Sequence, residues 1–534
     1  MEVDKVLAEL VNISIELSSE KDTTLLLEKI LLAAKRLSNA DGGTIYGITE
    51  NQELRFDTLL NDTLNMYIGG SSGKPISFDP IPIFIDGKPN TGALVAHAAA
   101  TGKVIDIEDV YNVTEYDLSG PRNMDAQTGY KTQSVLTIPM TNHEGELNGV
   151  LQLVNAQEEN GNVVPFSETI EESIRALASL AAVALTNRQL IDNMEELFQS
   201  FTRLIAKAID EKSPYTGGHC RRVPELTMMI ADAVHRHNVG PFADFTMDDA
   251  DRHELSIAGW LHDCGKIATP EYVMDKSTKL EAVFDRIELI QARFELAIQQ
   301  VKVEQLEQLL ECQEPALQEH INNDTAEKLQ ELEEARDFVE KANVGGEFMS
   351  PEAQQRIADI GQMYHVMING EAHPLLTEEE IYNLQIVRGT LNNEERAIIN
   401  RHMEITIEML ESLPFPKHLK RVPEFAGGHH ERMDGTGYPK GLTKEEMSVP
   451  ARMMAIADIF EALTASDRPY KPGKKISECL RIMGFMCKDM HIDADLFKVF
   501  IEQEVYREYA EKFLSEEQLD EINVNEIPGY LDIH

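Results

Sequence analysis

His429-His430-Glu431-Arg432-Met433-Asp434-Gly435-Thr436-Gly437-Tyr438-Pro439 sets two adjacent imidazoles before a loop rich in glycine and proline. Imidazoles suit a metal ion, and glycines let backbone N–H groups come close to phosphate. An adjacent pair alone is more often a surface accident than a ligand pair, so its meaning depends on the rest of the chain. Upstream, Leu261-His262-Asp263-Cys264-Gly265-Lys266 places an imidazole and a carboxylate side by side in a helical context. Neighbours on a helix diverge by about 100°, so the two meet one metal only at an adjusted turn or if Asp263 reaches across to bridge two ions. His219 follows the Gly217-Gly218 break, His402 lies in Asn400-Arg401-His402-Met403-Glu404, and Asp458 interrupts the apolar run Ala455-Ile456-Ala457-Asp458-Ile459-Phe460. A carboxylate in such a run is costly unless paired or metal-bound.

The chain has 534 residues, too many for one core, and predicts two to four domains. A hydrophobic content of 42% with 26% charged residues is that of a folded, water-exposed protein. The net charge of -43 excludes non-specific nucleic-acid binding, which needs a basic face, so an anionic substrate must meet a metal or a local basic pocket. Five cysteines lack paired metal spacing and predict no disulfide framework, which fits a cytoplasmic location. The most apolar run, near Ala176 to Leu185, is too short to span a membrane, and the acidic N-terminus does not read as a signal peptide.

Along the first 190 residues the spacing predicts a helix from Val3 to about Leu37 and a strand over Gly42–Ile48. A hairpin follows, made by Ser134–Met140 and Gly149–Val154 around Asn142-His143-Glu144-Gly145, and then a helix from Ser167 to about Asn187. This is an α+β module with helices at both ends. Thr128-Gly129-Tyr130-Lys131-Thr132-Gln133-Ser134-Val135-Leu136-Thr137-Ile138-Pro139-Met140, followed by Gly149-Val150-Leu151-Gln152-Leu153-Val154-Asn155, resembles the central strands of a GAF domain of the cyclic-nucleotide-phosphodiesterase type. The resemblance implies binding of a small-molecule ligand, or a role in dimerisation alone. Asn155 and Phe166 partly match a motif of nucleotide-binding members, whereas Ala156 stands where those members carry a basic residue.

From Leu190 the apolar residues Leu190, Met194, Leu197, Phe201, Leu204 and Ala208 alternate four and three apart, as in a coiled-coil seam. They predict a connecting helix that pairs in a homodimer, the alternative being one amphipathic helix packed on its own chain. The expected division is a GAF-like sensory domain over 1–188, a helical linker over 189–210 and an all-α catalytic domain over 211–534. Within the last, the Glu/Gln/Leu-rich stretch at about 279–389 reads as a helical insertion without chemistry of its own.

The order His219, His262-Asp263, His402, His429-His430, Asp458 resembles the HD superfamily of metal-dependent phosphohydrolases. Gly437-Tyr438-Pro439 makes it similar to the HD-GYP subfamily. The resemblance covers about Ala206 to Met490 apart from the insertion, which departs from the family's closer spacing of its second and third histidine motifs. It implies that His219, His262, Asp263 and Asp458 hold one divalent ion and that Asp263, His402, His429 and His430 hold another, with Asp263 as the bridge. The family's third-ion glutamate is replaced by Tyr215, so two ions are expected. Oxygen and imidazole donors without thiolate favour iron or manganese over a structural zinc. Two such ions about 3.5 to 4 Å apart activate water for in-line attack at phosphorus and offset phosphoryl charge.

For the substrate, Lys266 stands beside the ligands and is expected to bind the scissile phosphate or help the leaving oxygen depart. Arg432 is expected to support the loop, and Gly437, Tyr438 and Pro439 to border the substrate, Tyr438 either stacking on a base or packing beneath the loop. Arg468 and Lys471, in Asp467-Arg468-Pro469-Tyr470-Lys471, match a family segment whose basic residues hold phosphate. The resemblance thus implies hydrolysis of cyclic di-GMP to linear pGpG and onward to GMP, under control of the GAF module. The alternatives are 3',3'-cyclic GMP-AMP as substrate, or a non-catalytic cyclic dinucleotide receptor.

Overall fold

A computed structural model of the chain describes residues 2–212, 218–237, 239–346, 348–466 and 473–530. They form two compact units, Met1–Phe198 and Gln199–His534. In the first, the predicted single N-terminal helix is two, Glu2–Ser19 and Thr23–Ser38. The break falls where Asp22 turns its carboxylate onto the Thr24 and Leu25 N–H groups, at 2.7 and 2.9 Å, and so starts a new helix. Strands Met66–Gly69, Glu53–Asn61, Ala40–Ile48, Leu147–Gln157, Val135–Thr141 and Ile105–Ile107 lie side by side in that order as an antiparallel sheet. The predicted hairpin joins Val135–Thr141 to Leu147–Gln157, and Asn142 closes it by accepting from the Glu144 and Glu146 N–H groups at 3.0 and 2.9 Å. Leu26, Ile30 and Leu31 of one helix and Ile174, Leu177 and Ala181 of the helix Glu168–Lys212 bury one sheet face against Leu136, Ile138 and Leu151. This is the α+β arrangement that the alternation of apolar residues predicts.

The helix Glu168–Lys212 continues without interruption through the heptad-spaced segment. Leu190, Met194, Leu197, Phe201 and Leu204 are all more than half exposed on it. Among the described residues, no helix is long and apolar enough to cross a membrane.

In the second unit, helices His219–Arg236, Asp249–Leu261, His402–Glu411, Val422–Gly427 and Val449–Thr464 surround the candidate site. Phe460 anchors the last of these by edge contacts with Phe500 and Tyr509, at 5.1 and 5.7 Å between ring centres. The stretch between Met274 and Asn393 builds its own core from helices Ile287–Glu311, Pro315–Asn343 and Pro351–Met363, with Phe294, Val339, Ile357 and Leu376 buried. Its ends meet: Lys276 pairs with Glu395 at 2.7 Å, and Thr390 Oγ1 donates to the Lys276 carbonyl at 2.9 Å. A long excursion whose ends are adjacent costs the rest of the fold little. This stretch also contains a hairpin, His365–Ile368 with Glu371–Pro374, that the helical periodicity does not predict. Its signal is the Asn369-Gly370 pair, whose φ values of 53° and 84° suit the tight turn between paired strands.

Candidate metal centre

The helix Asp249–Leu261, capped by Asp248 and Asp251, ends just before His262-Asp263. His262 keeps helical backbone angles, but Asp263 turns to φ -109° and ψ 13° and opens the 3-10 turn Cys264–Ala268. That adjusted turn brings His262 Nε2 within 3.2 Å of Asp263 Oδ2, which the 100° divergence of helix neighbours would oppose. Gly265 seats the turn on the helix His402–Glu411. A Cβ there would lie 2.0 Å from the His402 carbonyl oxygen, and the Gly265 N–H donates to Thr406 Oγ1 at 2.9 Å. The close approach carries His402 to Asp263, with His402 Nε2 3.4 Å from Asp263 Oδ1.

The remaining donors arrive from three further elements. His219 opens the helix His219–Arg236, and its Nε2 lies 3.3 Å from both Asp263 Oδ2 and Asp458 Oδ1. Asp458 sits midway along Val449–Thr464, and His429-His430 occupy the turn after Val422–Gly427. Two groups result, His219 with His262 and Asp263, and Asp263 with His402, His429 and His430, the donor atoms within each lying inside 4.8 Å of one another. Asp263 is common to both. Asp458 joins the first through His219 and lies 3.8 Å from His262 Nε2.

Three buried donor atoms in this cluster, Asp263 Oδ1, His402 Nε2 and His429 Nε2, make no hydrogen bond. An orphaned buried acceptor costs about 1–3 kcal/mol, so three together mark a place prepared for something else. The opposite edges of the rings are all engaged. Nδ1–H donates to the Gly259 carbonyl from His262 at 2.7 Å, to Ile399 from His402 at 2.5 Å and to Ala426 from His429 at 2.7 Å. Each contact fixes the tautomer and turns an Nε2 lone pair inward. Burial, then the neighbouring His430 and His262, hold His429 far below the usual imidazole range, and burial brings His430 down to about 4. Both are therefore neutral at neutral pH. Burial alone would neutralise Asp263, but Lys266 keeps it ionised, with Lys266 Nζ 2.6 Å from Asp263 Oδ2. The neutral His429 and His430, the ionised Asp263 and the orphaned atoms together fit divalent cations.

The sequence reading missed several residues that hold these ligands. Glu461, one helical turn after Asp458 and 1% exposed, bonds His219 Nδ1 and is itself held by Arg222 at 2.6 Å. Its signal was the Asp458-x-x-Glu461 spacing, which puts both carboxylates on one helix face. Replacing Glu461 with Gln removes the charge that orients His219, so metal affinity should fall by about 10- to 100-fold; metal-binding calorimetry of the two proteins would show it, and equal affinities would exclude the orienting role. Lys212 donates to the carbonyls of Ile267 and Thr269 at 2.5 and 2.6 Å and so ties down the end of the 3-10 turn.

The glycine-rich loop behaves differently from its composition. Its N–H groups are largely spent inside the loop: Lys440, Gly441 and Leu442 donate to the buried Glu431, Thr436 to Asp434, Tyr438 to the His430 carbonyl and Gly435 to that of Arg432. Together they leave no row of free donors for a phosphate among these residues. Gly437 is needed for packing, since a Cβ would lie 2.4 Å from the Arg432 nitrogen. Arg432 donates to the Asp489 carbonyl at 2.8 Å. Tyr438 stacks on His430, 4.9 Å between ring centres at 16°. Pro439 is part-exposed beside it. Arg468, Lys471 and Tyr215 lie outside the described residues.

Comparisons with known proteins agree with this architecture. Residues 22–185 match the GAF domain family and residues 378–496 the HD domain family. The latter match includes His402, His429, His430 and Asp458 and begins after His219 and His262-Asp263. Over 127 residues the chain is 38% identical to the 3'3'-cGAMP-specific phosphodiesterase 1 of Vibrio cholerae, covering 24% of this chain and 28% of that protein. It is 39% identical over 113 residues to a cyclic di-GMP phosphodiesterase of Pseudomonas aeruginosa, covering 21% and 26%. Over 329 residues it is 24% identical to the 3'3'-cGAMP-specific phosphodiesterase 3 of Vibrio cholerae, covering 60% of this chain and 44% of that protein. The chain thus spans less than half the length of each of these relatives.

Fold and site together define a GAF domain joined to an HD domain of the metal-dependent phosphohydrolase class. The relatives that match this chain at 38 and 39% identity are named as phosphodiesterases of cyclic dinucleotides.

Proposed function

We propose that the C-terminal unit hydrolyses a cyclic dinucleotide, opening cyclic di-GMP to linear pGpG and then to GMP, under control of the N-terminal GAF domain. The observation that carries this reading is the pair of donor groups sharing Asp263, the second of which holds three orphaned atoms. His219, His262, Asp263 and Asp458 would hold one divalent ion and Asp263, His402, His429 and His430 the other, iron or manganese by donor type. Bound there, the ions would supply an activated water and offset charge on the phosphoryl oxygens.

The chain's own residues do the rest. Lys266, kept protonated by Asp263 and Asp458 against the effect of burial, places a proton on Nζ beside the centre, where it can bind a phosphate oxygen or pass the proton to the leaving 3'-oxygen. His262, Asp263, His402 and His429 are almost wholly buried, whereas Lys266, His430, Asp458 and Tyr438 retain exposure, so substrate approaches from their side. Tyr438, stacked on His430, lies on that side. Arg468 and Lys471 are proposed to hold the second phosphate.

A 3',3'-cyclic GMP-AMP substrate is the second reading, supported by relatives of that name at a similar identity to the cyclic di-GMP enzyme. Iron- or manganese-loaded protein incubated with each cyclic dinucleotide, with linear products followed by chromatography, separates the two. Turnover of neither would leave only a binding role.

We further propose a homodimer paired along the exposed heptad face of Glu168–Lys212. Charge at Met194 and Leu197 should dissolve it: the double variant Met194→Glu, Leu197→Glu is expected to sediment as a monomer where the parent sediments as a dimer. A monomeric parent would refute the pairing.

A further inference from the structure

The sheet of the N-terminal unit borders a cavity of about 320 Å³, the lower end of the size range of small-molecule sites. Three aromatic rings line one side in sequence, Tyr46 and Phe56 at 4.7 Å and Phe56 and Phe78 at 5.2 Å between centres, each pair tilted. Aliphatic groups such as Leu59 and Leu94 fill most of the remaining wall. Such a wall favours a flat apolar ligand through area burial and ring contacts.

The charge of the wall is more selective than its shape. Among the described residues, no lysine, arginine or histidine lines the cavity. Cations close to it in sequence are engaged elsewhere: Arg55 pairs with Asp57 at 2.6 Å, Arg122 donates to the Val110 carbonyl at 2.7 Å, and Arg122 and Lys131 both lie over the Tyr111 ring, at 5.8 and 5.6 Å. The charges that do face this region are negative. Asp117 stands at the exposed edge of the cavity. Behind the wall, the buried Asp41 accepts from the Tyr130 hydroxyl at 2.6 Å and from Thr63 Oγ1 at 2.9 Å.

Asn155 lies behind this wall and holds Tyr130 in place. Its Nδ2 donates to the Tyr130 hydroxyl and to the Lys131 carbonyl, both at 2.8 Å, and its Oδ1 accepts from the Gln133 N–H at 2.7 Å. The polar atoms around Tyr130 are thus satisfied by one another. An anion entering here would give up its water and find no cation, with carboxylates nearby. An uncharged ring system would meet no such penalty.

We propose that this cavity binds an uncharged planar aromatic or heteroaromatic molecule and rejects cyclic nucleotides and other anions. The inference adds a ligand class to the GAF control proposed above. Its test reads binding alone, so it fails or stands separately from the hydrolysis reading.

The test is equilibrium dialysis of the full-length protein at neutral pH against 2-naphthamide, 2-naphthoate and cyclic GMP. The first two share a ring system and differ in charge. Retention of 2-naphthamide with a Kd at least about tenfold below that of 2-naphthoate, and no retention of cyclic GMP, is expected. Leu59→Trp, which fills the cavity, should abolish retention of 2-naphthamide. Gln152→Lys, which adds a cation to the wall, should move the preference toward 2-naphthoate. The wild-type comparison decides the matter even where a variant fails to fold: no retention of 2-naphthamide, or retention of 2-naphthoate or cyclic GMP as tight as that of 2-naphthamide, overturns the proposal.

Discussion

Asp263→Ala is expected to lower turnover of any cyclic dinucleotide by at least about 10³-fold, several kcal/mol in the barrier, and to release bound metal. The size of the effect follows from the residue's position. Its Oδ2 lies 3.2 Å from His262 Nε2 and 3.3 Å from His219 Nε2, and its Oδ1 lies 3.4 Å from His402 Nε2, so one carboxylate serves both donor groups. Removing it also leaves Lys266 without its nearest counter-charge, a further cost at a buried site. Asp263→Asn separates charge from shape, since the amide keeps the volume. Metal content by mass spectrometry and product formation should fall together in both variants. An Asn variant with parental metal content and turnover would remove Asp263 from the centre.

Gly265→Ala should be nearly as damaging, although residue 265 offers no donor side chain. The added methyl would lie 2.0 Å from the His402 carbonyl oxygen and 2.6 Å from the Thr406 nitrogen, and both are backbone atoms that cannot rotate away. Either the 3-10 turn or the start of the His402–Glu411 helix must shift. Overpacking of this kind costs about 3 kcal/mol or more, and the shift separates His402 from Asp263. Thermal unfolding of the C-terminal unit should move down, and metal content should fall with it. Gly120→Ala, at a position with open space around it, should change neither. Unchanged stability and metal content in the Gly265 variant would show that the two segments do not need this approach.

Glu461 and Gly265 show what kind of information a linear reading lacks. Both support ligands from a distance in sequence: Glu461 orients His219 from 242 positions away, and Gly265 makes room for the His402 carbonyl. Gly265 has no side chain to offer a metal, and the Glu461 carboxylate is spent on His219. The glycine-rich loop errs in the other direction, since its composition suggests free donors whereas Glu431 and its neighbours consume them. Composition reports that a chain can approach a phosphate closely. It does not report which acceptor reaches the N–H groups first.

Much was nevertheless legible in the sequence alone. Helical and alternating periodicities outlined the α+β module and the helical C-terminal unit, because burial of one face imposes a period that is local in sequence. Donor chemistry is likewise a property of residue type, so His219, His262, Asp263, His402, His429, His430 and Asp458 could be singled out before any coordinates. Asp22 as a helix cap and Asn369-Gly370 as a hairpin turn are local signals of the same kind. Only the tertiary structure decided that Asp263 is shared by two donor groups, that three rings point Nε2 inward because their Nδ1 atoms are bonded elsewhere, and that the cations near the N-terminal cavity face away from it. Those outcomes depend on distances between segments far apart in the chain, and neither a residue's type nor its local period sets such distances.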